Sequence, residues 1–194
     1  KTIKEICKKR KILLIADEIQ GGIGRTGKIF AYKHYGVSPD IITSAKGLGS
    51  GIPIGATIVK KEISKNINIG FHGSTFGGGM LQTRVAYNVF KTINKTSFLN
   101  NVRSKGILLE QLLNKLHSKY DVIKEVRIKG LMAGIEFKKS ELALKIYKET
   151  SNHGLVTTLV KGTTIRITPP LIIKSEEIKR GIKIISDCLE KIQD

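Results

Sequence analysis

The sequence contains no tryptophan, two cysteines, four prolines, five tyrosines and six phenylalanines in 194 residues. Cys7 and Cys188 both fall in stretches of helical spacing and share no C-x-x-C or Cys/His ligand pattern. This excludes a disulfide framework and a zinc site and fits two structural thiols in a reducing cytoplasm. His34, His72, His117 and His153 are scattered without ligand spacing, so no metal is expected. There is no apolar run of membrane-spanning length and no basic-then-apolar leader, so the reading is a cytoplasmic protein with no membrane partner. Acidic residues are also scarce, 16 against 34 basic ones, for a net charge of +18. Such a charge raises nucleic-acid binding as a possibility. But 27 of the basic residues are Lys and 7 are Arg, they are spread along the whole chain, and none of their runs interleaves with aromatics that could stack on bases. With 30 Ile, the pattern reads as a Lys/Ile bias, and no nucleic-acid partner is expected.

The length allows one domain or two small ones. The opening "KTIKEICKKRK" places Ile3, Ile6 and Cys7 at helical spacing and runs without a cap into "ILLIA". That beginning predicts that the 194 residues are the C-terminal part of a longer protein. Residues 12 to 60 alternate apolar runs with glycine-rich turns: "ILLIA", "PDIITSA" and "GATIVK". Continuous β-branched runs predict strands covered on both faces, as in an α/β sheet. After the loop "GFHGSTFGGGM", a helix is expected from about Leu81 to Lys95.

From Ser97 the pattern changes. Leu108, Leu109, Leu112, Leu113 and Leu116 predict a long helix, and the runs flanking Gly130 read as two strands joined by a tight turn. "SELALKIYKETSNHG" reads as a helix closed by Gly154. "LVTTLV" and "TIRITPP" follow. Ser175 then opens a last helix with Ile178, Ile182, Ile185, Leu189 and Ile192 on one face. The expected division is residues 1–96, part of a larger sheet, and 97–194, an α+β domain.

"IADEIQGGIGRTG" carries a G-x-G-x-x-G at Gly22, Gly24 and Gly27. A dinucleotide fold needs the glycines directly after the strand and an acid at the end of the next strand. Here Asp17 and Glu18 intervene, Asp40 stands at the start of the next run, and nothing after Gly27 begins an amphipathic helix. The glycines are therefore read as a turn.

Four features could carry chemistry. Asp17 ends a buried-looking strand, where a carboxylate needs a positive partner unless it caps a turn. Lys46 ends another strand before a glycine-rich turn and is either a surface lysine or an amine nucleophile toward a carbonyl. Strand ends of an open α/β sheet converge on one crevice, so the two could face one ligand. Ser74 and Thr75 lie among glycines, in a flexible loop or a phosphate cradle. Arg166, inside a β-branched run, makes a structural salt bridge or clamps a carboxylate. Together these are the parts that pyridoxal 5′-phosphate requires: an amine, an anion for the ring nitrogen and a cradle for its phosphate.

The chain resembles the C-terminal half of a class III, fold type I, aminotransferase. "LLIADEIQGGIGRTGKIFAYKHYGVSPDIITSAKGLGSGIPIGA" is similar to the family's cofactor signature, and "HGSTFGGG" and "IRITPPLII" to its later blocks. The resemblance implies an α/β fold with part of the large-domain sheet and a C-terminal α+β small domain. It makes Lys46 the lysine that binds pyridoxal phosphate and moves the substrate proton. Asp17 pairs with the ring nitrogen, Gln20 lies near the phenolic oxygen, and Glu18 and Ile19 complete the strip. Thr75 binds the phosphate of the neighbouring subunit's cofactor in a homodimer, Ser74 lies near the substrate, and Arg166 clamps the carboxylate of 2-oxoglutarate or glutamate. Within the family the likeness is greatest to the bacterial branch whose amino donor is N-acetylornithine, often also succinyl-diaminopimelate. Gly79 departs from the Asn that the family commonly has there. The family's N-terminal half has no counterpart in these residues, which implies that they alone bind the cofactor poorly and catalyse nothing.

Overall fold

A computed structural model describes the backbone of residues 1–193 and the side chains of residues 1–191. Ile192, expected on the apolar face of the last helix, lies outside the described side chains. The chain forms two compact units, Lys1–Leu99 and the residues from Asn100 onward.

The first unit contains α1 (Thr2–Lys9), β1 (Ile15–Asp17), a 3₁₀ turn (Ala31–Tyr35), β2 (Ile41–Ser44), a second 3₁₀ turn (Lys46–Leu48), β3 (Ala56–Val59), the short α2 (Lys61–Ser64) and α3 (Met80–Ile93). β1 pairs parallel to β2 with Asp17 opposite Thr43, and β2 pairs antiparallel to β3. Within the described residues these strands are not covered on both faces, as fits part of a larger sheet. Ile15 and Ile58 are exposed, and α1 buries none of its residues. A β-branched run reports that a segment suits a pleated surface, not that a layer lies over it. The core of this unit lies instead in the glycine turn, where Ile23, Ile29 and Phe30 are buried. Phe30 stacks on Tyr32 with ring centroids 5.8 Å apart and meets Phe90 of α3 at 6.4 Å.

Asp40, set aside above as an acid at the wrong end of a strand, ties this unit together. Its carboxylate accepts from Lys4 Nζ of α1 at 2.7 Å, from Lys60 Nζ just after β3 at 2.8 Å and from Leu14 N before β1 at 2.9 Å. One side chain thus joins three segments distant in sequence, and it is largely shielded, with 13% of its surface exposed.

The second unit is built from α4 (Thr96–Lys119, which begins just before it), β4 (Ile123–Lys129), β5 (Met132–Phe137), α5 (Ser140–Asn152), β6 (Thr158–Val160), β7 (Thr164–Ile167) and α6 (Ser175–Gln193). The sheet is antiparallel in the order β4-β5-β7-β6. Strict alternation along β5 buries Ala133, Ile135 and Phe137 and leaves Met132, Gly134 and Glu136 partly open. The buried residues belong to a core that includes Leu109, Leu113, Ile146, Ile165 and Ile185. The β4–β5 turn uses a left-handed Gly130, and the preceding helix comes so close that a Cβ on Gly106 would stand 2.8 Å from the Gly130 Cα. That approach accounts for a glycine inside α4, where it otherwise costs about 1 kcal/mol. Gly154, at φ +79°, closes α5 as expected. Ser175 is the first residue of α6 rather than its cap. Lys174 takes the cap position, and its N–H donates to Glu177 Oε2 at 2.7 Å.

The hydrogen bonds from Lys4, then from Lys60 and Leu14, hold the Asp40 carboxyl well below the usual aspartate range, against a smaller opposing effect of burial. A folded-state pKa below the unfolded one stabilises the fold above the unfolded value, and the contribution disappears as pH falls through the folded value. Asp40→Asn is therefore expected to lower stability by about 2 kcal/mol at neutral pH. The deficit should hold down to roughly pH 4 and shrink in stronger acid. Urea titrations of both proteins across pH check this.

Candidate active site

Parallel pairing brings the carboxyl ends of β1 and β2 to one edge, with Asp17 ending β1 and Lys46 two residues beyond β2. Asp17 Oδ1 accepts from Ile19 N at 3.0 Å and from Thr43 Oγ1 at 3.2 Å, while Oδ2 takes no hydrogen bond from the described residues. The side chain is exposed, not buried as its strand suggested. Among the residues described, its carboxylate therefore needs no cationic partner.

Glu18 behaves oppositely. It is 3% exposed, and its two oxygens accept from Ala31 N at 2.7 Å and Tyr32 N at 2.8 Å. Its carboxylate is committed to the 3₁₀ turn that follows the glycines. Ile19 and Gln20 are half-buried, and the Gln20 amide has no partner among the described residues.

The glycines form a turn and no dinucleotide loop. A Cβ on Gly22 would come within 2.6 Å of the Glu18 carbonyl oxygen, and Gly24 and Gly27 are left-handed at φ +81° and +84°. No long helix begins after Gly27, so there is no N-terminus to face a pyrophosphate.

Lys46 has φ +48°, a left-handed conformation that costs a non-glycine residue about 1–2 kcal/mol. Backbone hydrogen bonds from Leu48 N to Ala45 O at 3.0 Å and from Gly49 N to Lys46 O at 3.1 Å hold it there. Its side chain is exposed and has no partner among the described residues. A Cβ on Gly47 would stand 3.5 Å from Ile23 Cβ, so the lysine turn lies against the glycine turn. The buried Ser44 hydroxyl, two residues before Lys46, has no hydrogen-bond partner.

Ser74 and Thr75 occupy an exposed turn closed by Gly77 N donating to Ser74 O at 3.0 Å. Neither hydroxyl has a partner among the described residues. Gly79 forms the N-cap of α3 without a capping side chain.

In the second unit, Arg166 on β7 stands between Gly134 of β5 and Thr158 of β6. Directly opposed residues point to one face of a sheet, so Gly134 leaves one flank of the guanidinium open. No acid pairs with Arg166 among the described residues, which removes the salt-bridge reading, and its Nε is buried without a partner. It lines a cavity of about 330 Å³ with Thr157, Leu155, Pro169, Glu177 and Ile182. The structure thus gathers Asp17, Gln20 and Lys46 around one strand edge of the first unit, which also carries Ser74 and Thr75. Arg166 is in the second.

Residues 1–189 match the family described as aminotransferase class-III. The chain belongs to the class III aminotransferases. It is 44% identical over 193 residues to the acetylornithine aminotransferase of Caldanaerobacter subterraneus subsp. tengcongensis, covering 100% of this chain and 49% of that protein. It is 39% identical to the acetylornithine/succinyldiaminopimelate aminotransferase of Photorhabdus laumondii, covering 98% of this chain and 48% of that protein. The solved ornithine delta-aminotransferase of Plasmodium falciparum superposes with a TM-score of 0.89 at 35% identity, over 97% of this chain and 48% of the other. The chain spans about half the length of the curated relatives it matches.

Fold type I aminotransferases of this class work with pyridoxal 5′-phosphate, and the donors at the strand edge fit that group. An unpartnered lysine amine and a carboxylate with one oxygen free follow the ends of two paired parallel strands, and a carbonyl and a pyridine nitrogen require such groups. Among the described residues no cluster of His, Cys, Asp or Glu could hold a metal ion, and no helix is long and apolar enough to cross a membrane.

Three residues near the chemistry were not singled out in the sequence. Thr43 is recoverable once β1 and β2 are taken as parallel and in register. Ser44 and Thr157 carry no sequence signal, because a missing hydrogen-bond partner is a property of the packed chain. Glu18→Ala removes the acceptor of two backbone amides and is expected to destabilise the first unit by about 3 kcal/mol. Amide exchange should accelerate first at Ala31 and Tyr32; unchanged protection there would remove the positional role.

Proposed function

We propose that the protein transfers the amino group of N-acetylornithine, and as a second activity that of succinyl-diaminopimelate, to 2-oxoglutarate in arginine and lysine biosynthesis. The observation that carries this reading is the strained, unpartnered Lys46 on the same strand edge as the half-free carboxylate of Asp17. Residues 1–96 serve as the C-terminal part of the cofactor-binding large domain and 97–194 as the small domain. The working assembly is a cytoplasmic homodimer with a shared site, in which Thr75 meets the phosphate of the neighbouring subunit's cofactor and Ser74 lies beside the substrate.

Pyridoxal phosphate, when bound, supplies an exchangeable carbonyl and an electron sink. Lys46 Nζ would anchor it and, once free, would take the Cα proton and return it. The Asp17 carboxylate would favour the protonated form of the ring nitrogen, since a nearby anion favours the cationic form. Gln20 and Ile19 would complete the strip that holds the ring. Glu18 contributes through the turn it pins. Arg166 would grip the α-carboxylate of the substrate in a bidentate fork. An ornithine δ-aminotransferase is the second reading, supported by the likeness to the Plasmodium falciparum enzyme.

Borohydride reduction of the purified longer protein that contains these residues, in the presence of pyridoxal phosphate and followed by peptide mass mapping, is expected to place one phosphopyridoxyl group on Lys46. Labelling scattered over many lysines, or none, would refute the assignment. The 194 residues expressed alone are expected to show no transamination and only weak cofactor binding, since they span about half the length of the relatives they match. Turnover by this stretch in isolation would show that it holds a complete site.

A further inference from the structure

The face of the first sheet that carries Asp17 changes character along its length. Pairing sets Ile15, Ile41 and Val59 side by side in one row, and Asp17, Thr43 and Thr57 in the row two residues on, at the carboxyl ends of β1 and β2. Within that second row Thr43 Oγ1 donates to Asp17 Oδ1 at 3.2 Å. Thr43 is half-buried, and among the described residues its hydroxyl makes no other hydrogen bond.

Asp17 Oδ1 also accepts from Ile19 N, two residues along its own chain, at 3.0 Å. A carboxylate held by one donor can still swing about that hydrogen bond. A second donor from a different strand removes the swing and fixes where the other oxygen points. Oδ2, which has no partner among the described residues, is thus oriented by two donors that both act on Oδ1. A binding site gains from such preorganisation, because the orientation need not be found anew when the ligand arrives. The strand itself does not need the hydroxyl. Pairing of β2 with β1 and β3 is a backbone ladder, and valine suits a pleated strand as well as threonine does.

We propose that Thr43 is a positioning residue for the cofactor's ring nitrogen: by fixing Asp17 Oδ1, its hydroxyl aims Asp17 Oδ2 at that nitrogen. The inference rests on the aminotransferase reading and deepens it. Thr43 need not touch the cofactor. It acts through Asp17, and its effect shows in how tightly the ring is bound and how firmly the ring nitrogen keeps its proton.

The test uses the longer protein that contains these residues, with Thr43→Val, which keeps the branched shape without the donor, and Thr43→Ser, which keeps the donor. Three quantities are read, none of them turnover: the melting temperature of the cofactor-free protein, the Kd of pyridoxal phosphate, and the pH midpoint of the bound cofactor's visible absorbance. A proton on the ring nitrogen opposes a second one on the nitrogen that joins the cofactor to Lys46, so a weaker hold on the first moves the midpoint to higher pH. Thr43→Val is expected to leave the melting temperature unchanged, to raise the Kd about fivefold and to move the midpoint upward. Thr43→Ser should restore most of both. An unchanged Kd and midpoint in Thr43→Val would overturn the proposal, and so would equal losses in the Val and Ser variants. A lowered melting temperature and weaker binding with an unmoved midpoint would assign Thr43 to the scaffold instead. Absence of cofactor on Lys46 in the unsubstituted protein would remove the aminotransferase reading and this one together, an outcome visible before either variant is made.

Discussion

Parallel pairing of β1 with β2, in the register that sets Asp17 opposite Thr43, is the constraint on which the chemistry of the first unit depends. An antiparallel pair would send the two strand ends to opposite edges and separate the carboxylate from the lysine. Because the strands run together, the chain leaves both at one edge, and the two turns that follow meet where Gly47 lies against Ile23. The glycine turn therefore supplies the small core of this unit, with Ile23, Ile29 and Phe30 buried in it. It also forms the surface against which the Lys46 turn is set. A lysine in the left-handed region persists only where its surroundings over-determine it. The hydrogen bonds from Leu48 and Gly49 and the contact with Ile23 provide that restraint.

Three acids in this unit divide into separate physical roles according to where their oxygens can find donors. Asp40 is surrounded by two ammonium groups and an amide, and it serves as a tie between segments. Glu18 faces two backbone N–H groups and fixes the turn. Asp17 receives both of its hydrogen bonds on one oxygen and leaves the other free among the described residues. Adjacent residues on a strand point to opposite faces, which is why Asp17 and Glu18, neighbours in sequence, differ so completely in exposure. The four-residue strip is thus chemically uneven. Its first residue presents a free acceptor outward, while the second acts inward on the scaffold.

The periodicity of the sequence was legible wherever a local rule decides the structure. The tight turn at Gly130, the closure of α5 at Gly154 and the buried Ile178, Ile182, Ile185 and Leu189 of α6 all follow from spacing and glycine placement. The glycine pattern near Asp17 was legible as a turn for the same reason, since the residues around it lacked the context of a phosphate-binding helix. What was not legible depends on contacts between distant segments. Asp40 gave no local sign of reaching Lys4 and Lys60, and Gly106 gave none of its close approach to Gly130. The exposure of Ile15 and Asp17 was missed because apolar composition indicates that a strand can be covered, while coverage requires a second layer. Lys46 and Arg166 were identified by residue type and setting. Their lack of partners is a tertiary fact.

The same lack of partners recurs in the second unit at Arg166. In a folded chain buried polar atoms are nearly always satisfied, so an exception marks a place where something else completes the bonding. For a flexible ammonium such as that of Lys46, solvent can fill the role, and the weight falls on its left-handed backbone at the strand edge it shares with Asp17. For Arg166 the argument is stronger, because its Nε is buried and cannot turn to water without moving the side chain out of β7's row. Gly134 beside it has no side chain to fill the space, and the neighbouring acid, Glu136, is engaged by Lys124 and Arg127 instead. The sheet therefore holds a cation whose natural counter-charge lies within reach of the strand yet is bound elsewhere. This is the arrangement expected of an arginine that clamps a carboxylate, the role proposed for Arg166, since the two planar groups match.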